Sequence, residues 1–161
     1  MSYRAVPLLV IALLVYNAVV FLFGGAHPDA LFYGSSTLDT TTNKLVMHSA
    51  DIFAVRMPNS NPNSGEWHFT RGDLMLLLGF ILLAMEVVKA TYTRGGAMAD
   101  QAFSTVLLMI FLVEFLLVPQ AATSVFFLLT IMCAFDVIVG AIVGIRTARR
   151  DIGFGGPPGG S

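Results

Sequence analysis

Four long apolar runs alternate with polar segments along the chain. Each run comes close to the roughly 17–25 mostly apolar residues that an α-helix needs to cross a bilayer. The runs cover residues 6–23, 74–91, 102–118 and 123–145. This pattern predicts an all-α membrane protein with four transmembrane helices.

Capping and turn residues support the boundaries of these runs. Thr70 and Asp73 have the spacing of a capping box just before the second run. Pro119 stops the third run, and Thr123 and Ser124 open the fourth with side chains that accept from unpaired backbone N–H groups. The connection between these runs is too short for anything but a tight reversal. We therefore predict that the last two helices form an antiparallel hairpin.

The runs divide the chain into four regions. Residues 1–23 are predicted to form the first transmembrane helix, and residues 24–72 a long polar loop. Residues 73–148 form a three-helix transmembrane region, and residues 149–161 a flexible tail rich in Gly and Pro.

Composition agrees with a membrane location. The hydrophobic fraction is 56% and the charged fraction only 12%, whereas soluble domains are about 25% charged. The net charge of −1 gives no electrostatic case for nucleic acid as a partner. The only cysteine, Cys133, excludes an internal disulfide and argues against a membrane dithiol oxidoreductase.

Basic residues set the expected orientation, because Lys and Arg favour the cytoplasmic side. With a cytoplasmic N-terminus, the cytoplasmic side holds Arg4, Lys89, Arg94, Arg146, Arg149 and Arg150. The other side holds only Lys44, Arg56 and Arg71. We therefore expect both termini in the cytoplasm and residues 24–72 in the periplasm. A second interpretation of the first run is a signal peptide cleaved after Ala26, which would leave three spans.

The periplasmic loop contains a predicted β-hairpin. Residues 45–57 and 66–70 are strand-like, and a turn-rich stretch separates them. Alternation places Trp67 and Phe69 on one face, with polar residues on the other. We expect this hairpin to pack on the bilayer surface with Trp67 at headgroup depth.

All three histidines also lie in this loop. His27, His48 and His68 could bind zinc only together with Asp51 or Glu66, and no pair has tight ligand spacing. No histidine falls in a predicted span, so a haem held by paired intramembrane histidines is not supported. We predict no metal and no cofactor.

Four ionisable residues fall inside the predicted spans: Glu86, Lys89, Glu114 and Asp136. A charge at mid-bilayer costs at least about 2.5 kcal/mol, so each should face the bundle or a polar cavity. Glu86 and Asp136 both lie roughly 18 Å from the outer surface, and Lys89 is one turn beyond Glu86 on the same face. The sequence predicts an intramembrane polar node of Glu86, Lys89 and Asp136, with Glu114 in the outer third of the third helix.

Small and polar residues predict how the helices meet. Gly140 and Gly144 form a GxxxG motif on the face of Asp136, and Gly79 shares the face of Glu86. We expect these glycines to allow close helix packing. Tyr16 and Asn17 interrupt the first run and predict interhelical hydrogen bonds.

Helices two to four resemble a group of small uncharacterised four-helix integral membrane proteins of bacteria. The resemblance covers about half the chain. It rests on residues 72–73 (GD), 86–91 (EVVKAT), 114–119 (EFLLVP), 122–124 (ATS), 126–129 (FFLL) and Asp136. It implies a bacterial inner-membrane location and no particular activity.

Two functions remain open at this point. The first is a non-enzymatic accessory or assembly subunit that packs with itself or with a larger membrane complex, in which the polar node is a packing feature. The second is an oligomeric proton or cation channel that uses Glu86, Asp136 and Glu114 as carriers. No nucleotide-binding loop, nucleophile elbow or HExxH motif is present, and His48, Asp51 and His68 are too scattered to indicate a lipid-modifying enzyme. We expect no catalytic residues.

Overall fold

A computed structural model of the chain describes residues 6–24, 27–39, 41, 43–57, 65–92 and 97–152. Several predictions fall outside these residues, namely those on Arg4, on cleavage after Ala26, on Arg94 and on the tail beyond residue 152. The elements in chain order are α1 (Leu9–Phe23), α2 (Pro28–Tyr33), β1 (Ser35–Asp39), β2 (Lys44–His48), β3 (Asp51–Arg56), β4 (Glu66–Thr70), α3 (Arg71–Tyr92), α4 (Ala97–Leu117), a 3-10 turn (Pro119–Ala121) and α5 (Ser124–Ile152).

The chain is mostly helical, and three helices are long and apolar enough to cross a membrane. Their apolar stretches are Arg71–Thr91, Ala99–Leu117 and Ser124–Arg146. The first apolar run forms a shorter helix, α1, of 15 residues, which is about 22 Å long at 1.5 Å per residue. The helical, membrane-compatible class is therefore confirmed, while a fourth span stays a prediction.

Helix α5 lies between α3 and α4 and contacts both of them extensively. Buried aromatic and aliphatic side chains fill the contacts, among them Leu82 of α3, Phe111 of α4, and Phe126 and Leu129 of α5. Helix α4 ends at Leu117, directly before the 3-10 turn, so α4 and α5 form the predicted antiparallel hairpin. Helix α1 runs alongside α3 and completes the bundle.

The segment before α3 contains two hairpins, where the sequence predicted one. Strands β3 and β4 pair antiparallel, as expected, but residues 44–48 pair back with β1 in a separate two-stranded sheet. The break comes at Ala50, which is 1% exposed and whose carbonyl accepts a 3.2 Å hydrogen bond from the Arg71 amide. Residues 45–57 therefore belong to two strands, because β2 pairs with β1 before Ala50 and β3 pairs with β4 after it.

Two boundaries also differ from the prediction. The long loop contains a short helix, α2, which packs on the start of α3. The Tyr33 ring lies so close to Gly72 that a Cβ there would be only 3.0 Å from it. Helix α5 continues to Ile152, so residues 149–152 are helical and not part of a flexible tail. The arginines at this end are good helix formers and favour a helix C-terminus.

The start of α3 follows the sequence closely. The Thr70 amide donates to Asp73 Oδ2 at 2.9 Å, and the Asp73 amide donates to Thr70 Oγ1 at 3.2 Å. These reciprocal bonds are the predicted capping box, and they satisfy backbone donors that the helix itself leaves unpaired.

Candidate functional site

Glu86 joins the start of α1 to the middle of the bundle. Its Oε2 accepts a 2.7 Å hydrogen bond from the Leu8 amide, which is the N-cap position of α1. Its Oε1 accepts a 2.9 Å charged hydrogen bond from Lys89 Nζ, one turn along α3. Lys89 Nζ also donates to the Val6 carbonyl at 3.3 Å. Two side chains of α3 thus form hydrogen bonds with the backbone that leads into α1, one with the Leu8 amide and one with the Val6 carbonyl.

The position of this contact explains why a charge is needed there. Glu86 lies six residues before the end of α3 at Tyr92, about 9 Å from that end. Helix α1 therefore begins alongside α3, before α3 ends. A helix start leaves N–H groups unpaired and carries a partial positive charge, so a carboxylate stabilises it both as an acceptor and through its charge. Glu86 is an N-cap supplied by a neighbouring helix.

Asp136 completes the node from the side of α5. It is 5% exposed, and Ser104 of α4 forms a hydrogen bond with its carboxylate. Asp136 and Glu86 both line a cavity of about 30 Å³, which is large enough to hold water. The cavity is lined by Glu86, Lys89, Asp100, Gln101, Ser104 and Asp136, among others. The structure thus brings Glu86, Lys89 and Asp136 to one site, as the helix faces predicted.

Two contributors from α4 were missed by sequence reasoning. Ser104 bonds Asp136, and Gln101 Nε2 donates to the Val137 carbonyl at 2.9 Å. An isolated Ser or Gln near a helix end gives no signal of its own. The i, i+3 spacing of these two residues, which puts them on one face of α4, was the available clue.

The predicted packing glycines behave differently from one another. A Cβ on Gly79 would collide with the Leu129 side chain of α5, and a Cβ on Gly140 with the Gln101 side chain of α4. These two glycines therefore allow close packing within the chain. A Cβ on Gly144 would meet no described atom within 4 Å. The two glycines of the GxxxG motif therefore differ: Gly140 packs against α4 within the chain, whereas Gly144 faces open space.

Glu114 does not join the node. It lies on α4 three residues before the helix ends, and its carboxylate forms a hydrogen bond with the Asn17 side chain of α1. Both side chains are only partly buried. The bundle therefore has a second polar site, near its other end and open to its surroundings.

Tyr16 makes the hydrogen bonds that the first run predicted. Its hydroxyl lies 2.6 Å from Thr123 Oγ1 and donates to the Gln120 carbonyl at 3.1 Å. Its ring stacks on Phe32 at 5.3 Å between centroids and tilts against Phe126 at 4.7 Å. One buried side chain thus ties α1 to α2, to the 3-10 turn and to α5.

On the hairpins, the candidate polar residues form one pair. His68 Nδ1 lies 2.7 Å from Asp51 Oδ2. A hydrogen bond from Ser49 and a second from His68 lower the pKa of Asp51 below its usual value. Within the described parts of the chain, no group of three or more His, Cys, Asp or Glu side chains is arranged to hold a metal ion.

No known protein family, no curated protein and no solved structure matches this chain. The resemblance to small bacterial membrane proteins therefore stays a prediction.

Proposed function

We propose that this chain is a non-enzymatic protein of the bacterial inner membrane, an accessory or assembly subunit that packs with itself or with a larger membrane complex. In this proposal the chain crosses the bilayer four times with both termini in the cytoplasm. The observation that carries the proposal is the contrast between the carboxylates of the bundle. Those of the node have partners within the chain, whereas Glu114 is partly exposed on the side of α4.

The bonding of the node supports a structural role. Glu86 has two hydrogen-bond donors, Asp136 has Ser104, and the cavity that both side chains line measures only about 30 Å³. Among the described residues, no buried side-chain nitrogen or oxygen lacks a hydrogen-bond partner. A saturated node of this kind fixes how the helices pack.

The exposure of α4 supports an external partner. Only 17% of the Ala99–Leu117 stretch is buried inside the protein, against 33% of the Ser124–Arg146 stretch of α5. Bare apolar surface is ordinary for a helix in lipid, but a carboxylate on that surface is costly. A hydrogen bond from a neighbouring helix would offset that cost, because polar side chains join helices within membranes.

The course of α1 supports the fourth span. It begins at the level of Glu86, near the end of α3, and Tyr16 reaches the turn that joins α4 and α5 at the opposite end. Helix α1 is therefore antiparallel to α3. Helix α1 itself is about 22 Å long. The residues just before Leu9, where Lys89 bonds the Val6 carbonyl, would add to that length on the side of the bundle where α3 ends.

The experiment is native mass spectrometry of the protein after mild solubilisation, comparing the native chain with two variants at Glu114. We expect the native chain in an assembly larger than the monomer. Glu114→Leu should release the monomer, while Glu114→Gln should keep part of the assembly because an amide still forms hydrogen bonds. Val113→Leu, next to Glu114 on the exposed face, is the matched control and should leave the assembly intact.

A monomeric native chain with no co-purifying partner would refute the proposal. An assembly unchanged in Glu114→Leu would show that the contact lies elsewhere. Gly144→Leu then tests the exposed half of the GxxxG motif, because a Cβ at this position meets no described atom within 4 Å. Gly140→Leu is unsuitable, since it would collide with Gln101.

A second candidate function rests on the cavity at the node. Glu86 and Asp136 line one cavity that can hold water, an arrangement that could pass a proton or cation within an oligomer. Purified protein in liposomes should then carry a flux that Asp136→Asn abolishes. No flux above that of empty vesicles would reject this candidate.

A further inference from the structure

The β3–β4 hairpin has one apolar face. Paired residues of an antiparallel ladder share a face, and the pairs Phe53–Phe69 and Val55–Trp67 place four apolar side chains together. The Phe53 and Phe69 rings stack at 4.9 Å, and Trp67 meets both rings edge-on, at 6.1 and 5.8 Å. We call Phe53, Val55, Trp67 and Phe69 the aromatic face.

The opposite face is polar and internally paired. Arg56 and Glu66 form a 3.7 Å ion pair across the two strands. His68 and Asp51 form the 2.7 Å pair already described. The hairpin is therefore amphipathic, with its charges on one side and its rings on the other.

The described chain does not cover the aromatic face. Phe53 and Trp67 are each 47% exposed and Val55 is 44% exposed. Every residue of β3 is exposed, and the hairpin touches the bundle mainly where β4 joins α3. A lone two-stranded hairpin is marginally stable in water and needs an apolar surface to pack on. Something outside the described chain must supply that surface.

The attachment of the hairpin indicates what that surface is. Strand β4 ends at Thr70, and α3 begins at the next residue, with no linker between them. The Arg71 amide also bonds the Ala50 carbonyl, just before β3. Two apolar residues in the first turns of α3, Leu74 and Leu77, are 50% and 46% exposed on the outside of the bundle. The junction between β4 and α3 thus has exposed apolar side chains before it, on the hairpin, and after it, on a helix long and apolar enough to span a bilayer.

We propose that the aromatic face lies in the headgroup region of the lipid leaflet where α3 enters, with the polar face turned to water. Trp and other aromatic side chains concentrate at this depth because an apolar ring with a polar edge suits both sides of the boundary. The inference rests on the proposal that α3 spans a bilayer, and it is independent of assembly and of conduction.

Trp67 is the only tryptophan of the chain, so its fluorescence reports on this face alone. The test places the full chain in lipid nanodiscs made with phospholipid brominated near the glycerol, or brominated near the chain end. We expect a strong loss of Trp67 emission with the shallow bromines and a smaller loss with the deep ones. Acrylamide in the water should quench weakly.

The matched control moves the probe to the polar face. Trp67→Phe combined with Ala54→Trp puts the single indole opposite, because Ala54 pairs with His68. That variant should be quenched by acrylamide and hardly by lipid bromines.

Three outcomes would overturn the proposal. Strong acrylamide quenching of Trp67 with none from bromolipid would place the face in water. Protection from both quenchers would mean that another part of the same chain covers it. Equal bromolipid quenching of Trp67 and of the indole at position 54 would show that the aromatic face is not the one turned to the lipid. Each result is read in nanodiscs holding one chain, so a failed assembly experiment leaves this one valid.

Discussion

Glu86 and Glu114 are carboxylates on two long apolar helices, and both bind α1, yet their surroundings differ. Glu86 is 6% exposed and accepts hydrogen bonds from an ammonium group and from the Leu8 amide at the start of α1. Glu114 is partly exposed and is hydrogen-bonded to one neutral amide, Asn17. Each oxygen of the Glu86 carboxylate thus accepts a hydrogen bond from within the chain. The Glu114 carboxylate keeps acceptor capacity at the surface.

This difference shows that an acidic residue in a long apolar helix is not by itself a functional signal. Glu86 can be explained by the start of a helix within the bundle, where an uncapped N-terminus is costly. No comparable structural task is visible for Glu114. The predictions below test this contrast, beginning with the change that should cost most.

Replacing Glu86 should have the largest effect on stability. Glu86→Ala leaves Lys89 without its carboxylate and the Leu8 amide without its acceptor, and breaking a buried ion pair costs about 3 kcal/mol. Unfolding of the purified protein by SDS in mixed micelles would measure this loss. The double variant Glu86→Leu with Lys89→Met removes both charges and should recover much of it. If Glu86→Ala were as stable as the native chain, the capping role of Glu86 would be wrong.

Removing one hydroxyl should have an intermediate effect. Tyr16→Phe keeps the ring stacked on Phe32 and Phe126 but loses the bonds to Thr123 and Gln120. We expect a loss of about 1 kcal/mol, since the bond is buried but uncharged. The same unfolding measurement applies, with Thr123→Val and the double variant closing a cycle. Strict additivity in that cycle would contradict the hydrogen bond.

The Glu114 site should matter little to the single chain. A double-mutant cycle of Asn17→Ala and Glu114→Ala should give a coupling of about 0.6 kcal/mol, typical of hydrogen bonds between helices in membranes. The unfolding must be measured where the chain is monomeric. A coupling free energy as large as that between Glu86 and Lys89 would contradict the view that Glu114 contributes little to the stability of the single chain.

The smallest expected effect is a loosening of the β3–β4 hairpin by acid. Bonds from Ser49 and His68 lower the pKa of Asp51 in the folded hairpin. The stabilisation is therefore complete above the ordinary Asp pKa of about 4, and it is lost as the pH falls through the lower, folded value. Protection of the β3 and β4 amides from hydrogen exchange, taken relative to the intrinsic exchange rate at each pH, should fall below about pH 4. In Asp51→Asn that acid dependence should disappear, and its persistence would assign it to another group.

The sequence alone predicted much of the helical architecture. Long apolar runs bounded by capping residues are local signals, so the three long helices and the Thr70–Asp73 box followed from it. Helix faces also follow from the 3.6-residue period, which brought Glu86, Lys89 and Asp136 together. Alternation likewise placed Trp67 and Phe69 on one face of a hairpin.

Other features depend on contacts between distant residues and could only come from the tertiary structure. The second hairpin depends on the pairing of β1 with residues 44–48, and the buried Ala50 lies between β2 and β3. Gly140 and Gly144 look alike in sequence, but only Gly140 meets Gln101. Similarly, Glu86 and Glu114 are both acids in apolar runs. The start of α1 beside one of them, and only Asn17 beside the other, decided which carboxylate is saturated, because the cost of a charge in a membrane depends on the donors that reach it.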